Sequence, residues 1–236
     1  MKVNIIGHGN VGFHLAQAFS GIGEVNQVSA RTLEGLDTTA ELSVIAVPDR
    51  FIGEVALRLS DFDGIVAHTS GSTSIEAIVG KVKRPGVFYP LQTFSKEQTM
   101  DYSTLPLFIE AVHREDRDLL METARKISTN VSEADSATRR KLHLAAVFAN
   151  NFTNHMVTLG QTLLDEEGID PMLLNPLINE TVSKLDAMKG VDAQTGPARR
   201  GDDKTIAEHL RMLEGHPEAR RIYEVVSESI EEMYKS

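Results

Sequence analysis

The feature that most constrains this chain is Gly7-His8-Gly9-Asn10-Val11-Gly12. It is a G-x-G-x-x-G spacing set between the apolar run of residues 3–6 and a helix-like segment from Asn10 to Phe19. In that setting the three glycines serve different ends. Gly7 permits the tight turn, Gly9 lets backbone approach a pyrophosphate, and Gly12 lets helix and strand pack closely. The start of the helix offers unpaired N–H groups and a partial positive charge to an anion. Glycine is common, so the spacing alone is a weak signal. Placed after a strand and before a helix, it points to a phosphate cradle formed by Gly7, His8, Gly9, Asn10, Val11 and Gly12.

The next hundred residues alternate short β-branched runs with helical segments. Strands are expected at 25–30, 42–48, 64–70, 85–91 and 105–112, and helices at 51–59 and 74–80. Such alternation is solved most economically by a mostly parallel, doubly wound sheet. About 20 residues past the glycines an acid would hold the 2′-hydroxyl of NAD. The sequence has Arg31 there instead, with Ser29 and Thr32 beside it. An Arg at that point accommodates the 2′-phosphate of NADP, so NADP is favoured over NAD. Between Arg31 and the next strand there is too little chain for a helix and a further strand, so the sheet should be abbreviated near its third strand.

From Ser136 onward only helices are expected, which places a boundary between 134 and 135. The first helix is long, capped by Ser136 and stopped at Gly168. A second opens at Asp170-Pro171, with a kink at Pro176, and two more cover 203–213 and 217–234. Between Leu142 and Leu164 there is no Asp, Glu, Lys or Arg. A helix so free of charge is expected to be buried, and its buried polar groups need partners. At 3.6 residues per turn His143, Asn150 and Asn154 share one stripe, with Asn151 beside it. Either the stripe faces a ligand, or it satisfies neighbouring backbone groups in a helical core.

A net charge of −10 argues against nucleic-acid or anionic-membrane partners. The absence of cysteine excludes disulfides and thiolate chemistry. Met1 leads straight into a strand without the features of a signal peptide, so a cytoplasmic protein is expected.

Seven stretches, "GHGNVG", "VSART", "IAVPD", "HTSGS", "YPLQTF", "LHLAAVFANNF" and "TGPARRGD", carry a resemblance over nearly the whole chain. The chain resembles the NADP-dependent oxidoreductases that join a Rossmann-like domain to a DUF2520 domain. That family lies in the 6-phosphogluconate dehydrogenase-like superfamily, with ketopantoate and pyrroline-5-carboxylate reductases as relatives. The resemblance implies an α/β Rossmann-like doubly wound parallel sheet over 1–134. An all-α domain like the 6-phosphogluconate dehydrogenase C-terminal domain would follow over 135–236, dimerising and holding a small-molecule substrate. It also implies an NADP(H) cleft in which Val47, Pro48, His68 and Thr69 meet the cofactor. Ser70, Asn150, Asn154, Arg199 and Arg200 would meet the substrate, although Arg199 and Arg200 could equally pair with Asp202 or Asp203 to fix their own loop.

Two positions depart from the family. Tyr89 stands where its members usually have His. Carbonyl-reducing relatives often place a proton-donating Lys four residues before an Asn on the long helix; here Val147 takes the Lys position and Asn151 the Asn. Val cannot transfer a proton, so His143, one turn earlier, is the nearest replacement. His143 and Asn151 are therefore the expected catalytic pair. The expected activity is hydride transfer between NADP(H) and a small polar, carboxylate-bearing carbonyl or imine. The alternative is an NADP-binding sensor or scaffold without turnover.

Overall fold

Val3, Ile5, Ile6, Leu42, Val44, Ile45, Ile65, Val66 and Ala67 are all buried. Strands apolar on both sides have to be covered on both sides, which dictates a sheet between layers of helix and loop. The structure, a computed structural model, describes residues 1–235. Among these residues the strands are β1 (Lys2–Ile6), β2 (Glu24–Val28), β3 (Leu42–Ile45), β4 (Ile65–His68), β5 (Pro85–Pro90), β6 (Leu107–Ala111) and β7 (Val131–Glu133). They lie in the order β2-β1-β3-β4-β5-β6-β7. Within that sheet β5 and β6 pair antiparallel and all other neighbours are parallel. The helices α1 (Asn10–Ser20), α2 (Ile52–Leu57) and α3 (Arg114–Arg125) flank them.

This is the expected Rossmann-like sheet, and it is abbreviated where the short linker required. Between β2 and β3 there is neither helix nor strand. Leu33 and Leu36 of the connecting loop pack instead on the cluster containing Ile6, Val28 and Ala40. Leu33 sits at φ 55°, a left-handed conformation a leucine adopts only under constraint. The expected helix at 74–80 shrinks to a single 3₁₀ turn, Ile75–Ala77, with Ser74 accepting from the Glu76 N–H. Two elements are not expected from the sequence: α3, whose buried Leu120 and Ala124 are hidden among charges, and the three-residue β7.

The helical part begins with α4 (Ser136–Ala146), passes through a π-helical segment (Val147–Phe152) and continues as α5 (Thr153–Glu166). After a 3₁₀ turn at Pro171–Leu174 come α6 (Asn175–Ala187), α7 (Gly190–Ala193), α8 (Pro197–Arg200), α9 (Asp203–Met212) and α10 (Pro217–Tyr234). The chain forms two compact units, Met1–Asn151 and the residues from Phe152 onward. The compositional boundary at 134/135 marks where helices take over, whereas the first unit runs on through α4.

Local signals resolve as follows. Gly168 ends α5 at φ 70°, with Ile169 N–H donating to Leu164 O at 2.9 Å. Asp170 caps the 3₁₀ turn through Met172 N–H, and Asp202 caps α9 through Thr205 N–H. Three expectations change. The cap of α4 is Asp135, which accepts from Thr138 N–H at 2.7 Å and frees the Ser136 hydroxyl for other partners. Pro176 makes no kink, because it lies in the first turn of α6, where a missing N–H costs nothing. The charge-free stretch is not buried: Leu144 is 60% and Phe148 62% exposed, since α4 is seated by its first turns alone.

Candidate active site

The chain order reverses at β1, whose neighbours β2 and β3 lie on opposite sides. The carboxyl ends of β1 and β3 thus flank the crevice where open α/β sheets take ligands. At the end of β1, Gly7 turns at φ 126°, and a Cβ there would come within 2.2 Å of the Ala46 carbonyl oxygen beyond β3. A Cβ at Gly12 would lie 2.4 Å from the Gly7 oxygen, while one at Gly9 would meet nothing within 4 Å. Two glycines therefore close the turn and the third leaves open space. The N-cap of α1 is Gly9, with no side-chain cap and no acid in the first turn. This is the donor set a pyrophosphate needs, so the residues present fit a dinucleotide.

His8 is exposed beside the turn. Asn10 is engaged already: its Nδ2 donates to Phe94 O at 2.9 Å. One helical turn on, His14 is buried and its Nε2 donates to Ser95 O at 2.7 Å. The loop after β5 is thereby tied to α1. Past β2, Ser29 accepts from Arg31 N–H and Thr32 from Glu34 N–H. Arg58 braces the same loop, its Nη1 donating to Ala30 O at 2.8 Å and Arg31 O at 3.0 Å. The Arg31 side chain itself is exposed.

A cleft of about 440 Å³ opens beside the cradle. Val11, Val47, Thr69, Ser70, His143, Asn150 and Asn151 line it, which brings together much of what the sequence suggested. Asp49, Gly71 and Tyr89 line it too. Pro48 caps the 3₁₀ turn at Asp49–Phe51 rather than lining the cleft. His68 does not reach it either. Its ring is fully buried, with Nδ1 accepting from Ser70 N–H at 3.2 Å, so it shapes the loop from beneath. Burial pushes its pKa down to about 3, and the Arg139 guanidinium acts in the same direction. His68 is thus neutral at physiological pH. Its Nε2 has no hydrogen-bond partner among the described residues, and although the Ser74 backbone lies near enough to influence its charge, the geometry falls short of a bond.

The loop at residues 69–74 is pinned from two sides. The Ser70 hydroxyl accepts from Ser72 N–H at 3.2 Å and Thr73 N–H at 2.9 Å, and the Ser72 hydroxyl donates to Asp49. From α4 comes Arg139, which is fully buried. Its Nε donates to Ser70 O at 3.0 Å, its Nη2 to Thr73 O at 2.6 Å, and its Nη1 pairs with Glu110 of β6. The Ser136 hydroxyl donates to the same Glu110 carboxylate and accepts from Ile75 N–H at 3.0 Å. One guanidinium thus joins α4, the loop after β4 and strand β6.

Arg139 seats α4 so that His143 meets Tyr89 at the end of β5. The Tyr89 hydroxyl lies 3.3 Å from His143 Nδ1, with the rings edge-on at 6.3 Å. Burial raises the Tyr89 pKa, Arg139 opposes the shift and Asp49 adds to it. Beyond them the helix opens into the π-helical segment, a form often found at functional sites. It carries Val147, Asn150 and Asn151 into the lining.

Asn154, Arg199 and Arg200 belong to the second unit. There the Arg199 guanidinium stacks 4.0 Å from the Tyr234 ring centroid, and Tyr234 Oη donates to Val191 O at 2.5 Å. Asn154 is exposed on α5, and Arg200 lies with Arg199 and Asp203 at a surface hollow of about 390 Å³. Sequence reasoning assigns no role to Tyr89, Gly71, Arg58 or Arg139. For Gly71 a signal existed, a glycine between two serines in "HTSGS". The other three carry none that a single sequence exposes.

A glycine-shaped cradle at the reversal point of a seven-stranded sheet, followed by an all-helical part, defines a Rossmann-like α/β protein with a helical C-terminal region. The sequence profile of DUF2520, a domain of unknown function, matches residues 105–230, more than half of the chain. The chain belongs to the DUF2520 family. Among solved structures it is similar to the putative NADP oxidoreductase of Bacteroides fragilis, at 36% identity and a TM-score of 0.90 over 98% of both chains. A protein of Thermotoga maritima matches at 20% identity and a TM-score of 0.76, over 99% of this chain and 98% of that one. The pyrroline carboxylate reductase of Plasmodium falciparum, solved with NADP bound, shares the fold at 13% identity and a TM-score of 0.60, over 100% of this chain and 98% of that one. No curated protein matches. Among the described residues no helix is long and apolar enough to cross a membrane.

Proposed function

We propose that this protein is an NADP(H)-dependent oxidoreductase acting on a small polar carbonyl or imine compound that carries a carboxylate. The observation that carries this reading is the adjacency of two things. An uncapped helix start with open space at Gly9 lies beside a cleft lined by His143, Asn150 and Asn151. The likeness to the Bacteroides fragilis protein supports the cofactor. Bound NADP(H) would supply or accept the hydride. His143 would move the proton, and Asn151 would donate a hydrogen bond to the substrate's oxygen or nitrogen. Ser70, Asn150 and Asn154 would orient the substrate, with Arg199 and Arg200 as carboxylate partners. His8, Asn10, Val11, Val47, Pro48 and Thr69 would contact the cofactor. A panel of keto acids and cyclic imines, read by NADPH oxidation, tests the activity; no oxidation with any compound would reject it. Val147, an apolar residue in the lining, favours a second reading, an NADP-holding module without turnover.

Arg31, held by Arg58 with Ser29 and Thr32 beside it, would select the 2′-phosphate. A charge-assisted bond of this kind contributes about 1.5–3 kcal/mol, so Arg31→Ala should reduce the preference for NADPH over NADH roughly ten- to a hundredfold. Fluorescence titration with both cofactors measures it, and equal affinity of the unmodified protein for the two would refute it.

A homodimer built through the helical part belongs to the same proposal. On α6, Leu177 is 64% and Leu185 51% exposed, and the preceding Leu173 67%; such patches mark an interface. Light scattering at micromolar concentration should give twice the chain mass of 26.0 kDa. The single-chain mass would count against it.

A further inference from the structure

Reduction of a carbonyl or imine consumes one proton for each hydride, and the cleft has few places to keep one. Of its lining side chains only Asp49, Tyr89 and His143 titrate, and Asp49 already receives the Ser72 hydroxyl. We propose that Tyr89 is the positioning residue of the site: its hydroxyl donates to His143 Nδ1, holds the imidazole as the Nε2–H form, and replaces the proton that His143 gives up. This rests on the oxidoreductase reading for its chemistry, but not for its geometry.

The geometry is constrained in three ways. The Tyr89 side chain is buried, and among the described residues its hydroxyl has a single hydrogen-bonding neighbour, His143 Nδ1 at 3.3 Å. If Nδ1 carried the proton, the hydroxyl hydrogen would lack an acceptor; donation from Tyr89 to Nδ1 satisfies both groups. The distance is long, as bonds of this sort often are before a ligand fills the site. Second, the backbone wraps the pair too closely for any side chain. A Cβ at Gly71 would lie 2.7 Å from the Tyr89 hydroxyl oxygen and 2.8 Å from His143 Nδ1. Third, the His143 bond to Tyr89 uses Nδ1 and leaves Nε2 for a ligand, and both rings belong to the lining of one cleft.

The proton balance is complete. As the substrate oxygen or nitrogen gains its electron pair, its bond to hydrogen forms and the His143 Nε2–H bond breaks. Nδ1 takes the hydroxyl proton of Tyr89. The tyrosinate left behind lies within the field of Arg139, which favours the charged form, and recovers its proton from water.

The test uses the full chain with ¹⁵N-labelled histidine, the His143 signals being assigned by their loss in His143→Gln. Two-bond ¹H–¹⁵N spectra without cofactor should show neutral His143 protonated on Nε2. Tyr89→Phe, which keeps the ring, should raise the Nδ1–H form severalfold. Gly71→Ala, which keeps both side chains and wedges a methyl group between them, should do the same and stands in should Tyr89→Phe fold poorly. With a substrate found in the panel, Tyr89→Phe should lower turnover ten- to a hundredfold and leave NADPH affinity within twofold. A wild-type His143 protonated on Nδ1, or an unchanged tautomer in both variants, overturns the proposal. Lack of turnover with every compound would instead overturn the oxidoreductase reading, leaving the tautomer result to stand or fall alone.

Discussion

Arg139→Met is expected to lower the unfolding free energy by about 3–5 kcal/mol, the usual cost of removing one partner from a buried ion pair. The substitution preserves most of the volume, so the loss is electrostatic. Glu110, only 16% exposed, would lose its cation, and the carbonyls of Ser70 and Thr73 would lose their donors. A lysine should rescue only part, since one ammonium cannot serve three elements in the plane a guanidinium spans. Urea denaturation followed by circular dichroism measures the difference. A change below about 1 kcal/mol would mean that water replaces the guanidinium without penalty, contrary to the burial described. The consequences should not stop at stability, because Arg139 also seats the turn of α4 that presents His143.

The second large effect belongs to His143 itself. His143→Gln should leave NADPH affinity nearly unchanged and lower turnover by about 10²–10⁴, the range associated with a lost general acid or base. Asn151→Ala should cost less, mainly in turnover. A histidine serving only the fold would behave differently, with melting temperature, cofactor affinity and rate all declining together. Measuring the three on one sample of His143→Gln separates the cases, and full activity in that variant would remove His143 from the mechanism.

How far the sequence discloses such a site depends on what each residue does there. Gly7 and Gly12 are legible because the backbone excludes a Cβ at both places, and only one residue type satisfies that demand. The missing connection after β2 is legible because too few residues separate Arg31 from β3 to form a helix and a strand. Arg139 is illegible, since it stands in the run Arg139-Arg140-Lys141 and nothing local marks one cation of the three as buried. Tyr89 and His143 lie 54 positions apart and come together only through the sheet and the seat that Arg139 provides. The π-helical segment defeats a projection at 3.6 residues per turn, so the angular placement of Asn150 and Asn151 cannot be read from periodicity. Burial of the charge-free helix is an inference from composition, and composition does not say whether the covering surface belongs to the same chain.

The abbreviated corner has a consequence for how the molecule behaves in company. With no strand beyond it, β2 is the edge of the sheet, and its outer row of backbone donors and acceptors is open to another chain. Long, flat, hydrophobic edges are the ones that recruit neighbours into fibrous growth. Here the strand is five residues long, EVNQV, three of them polar, and Glu24 leads it with a charge. Side chains of that kind make a poor template for a second sheet. The economy that removed a helix and a strand from this fold was therefore tolerable at an edge already unattractive to aggregation.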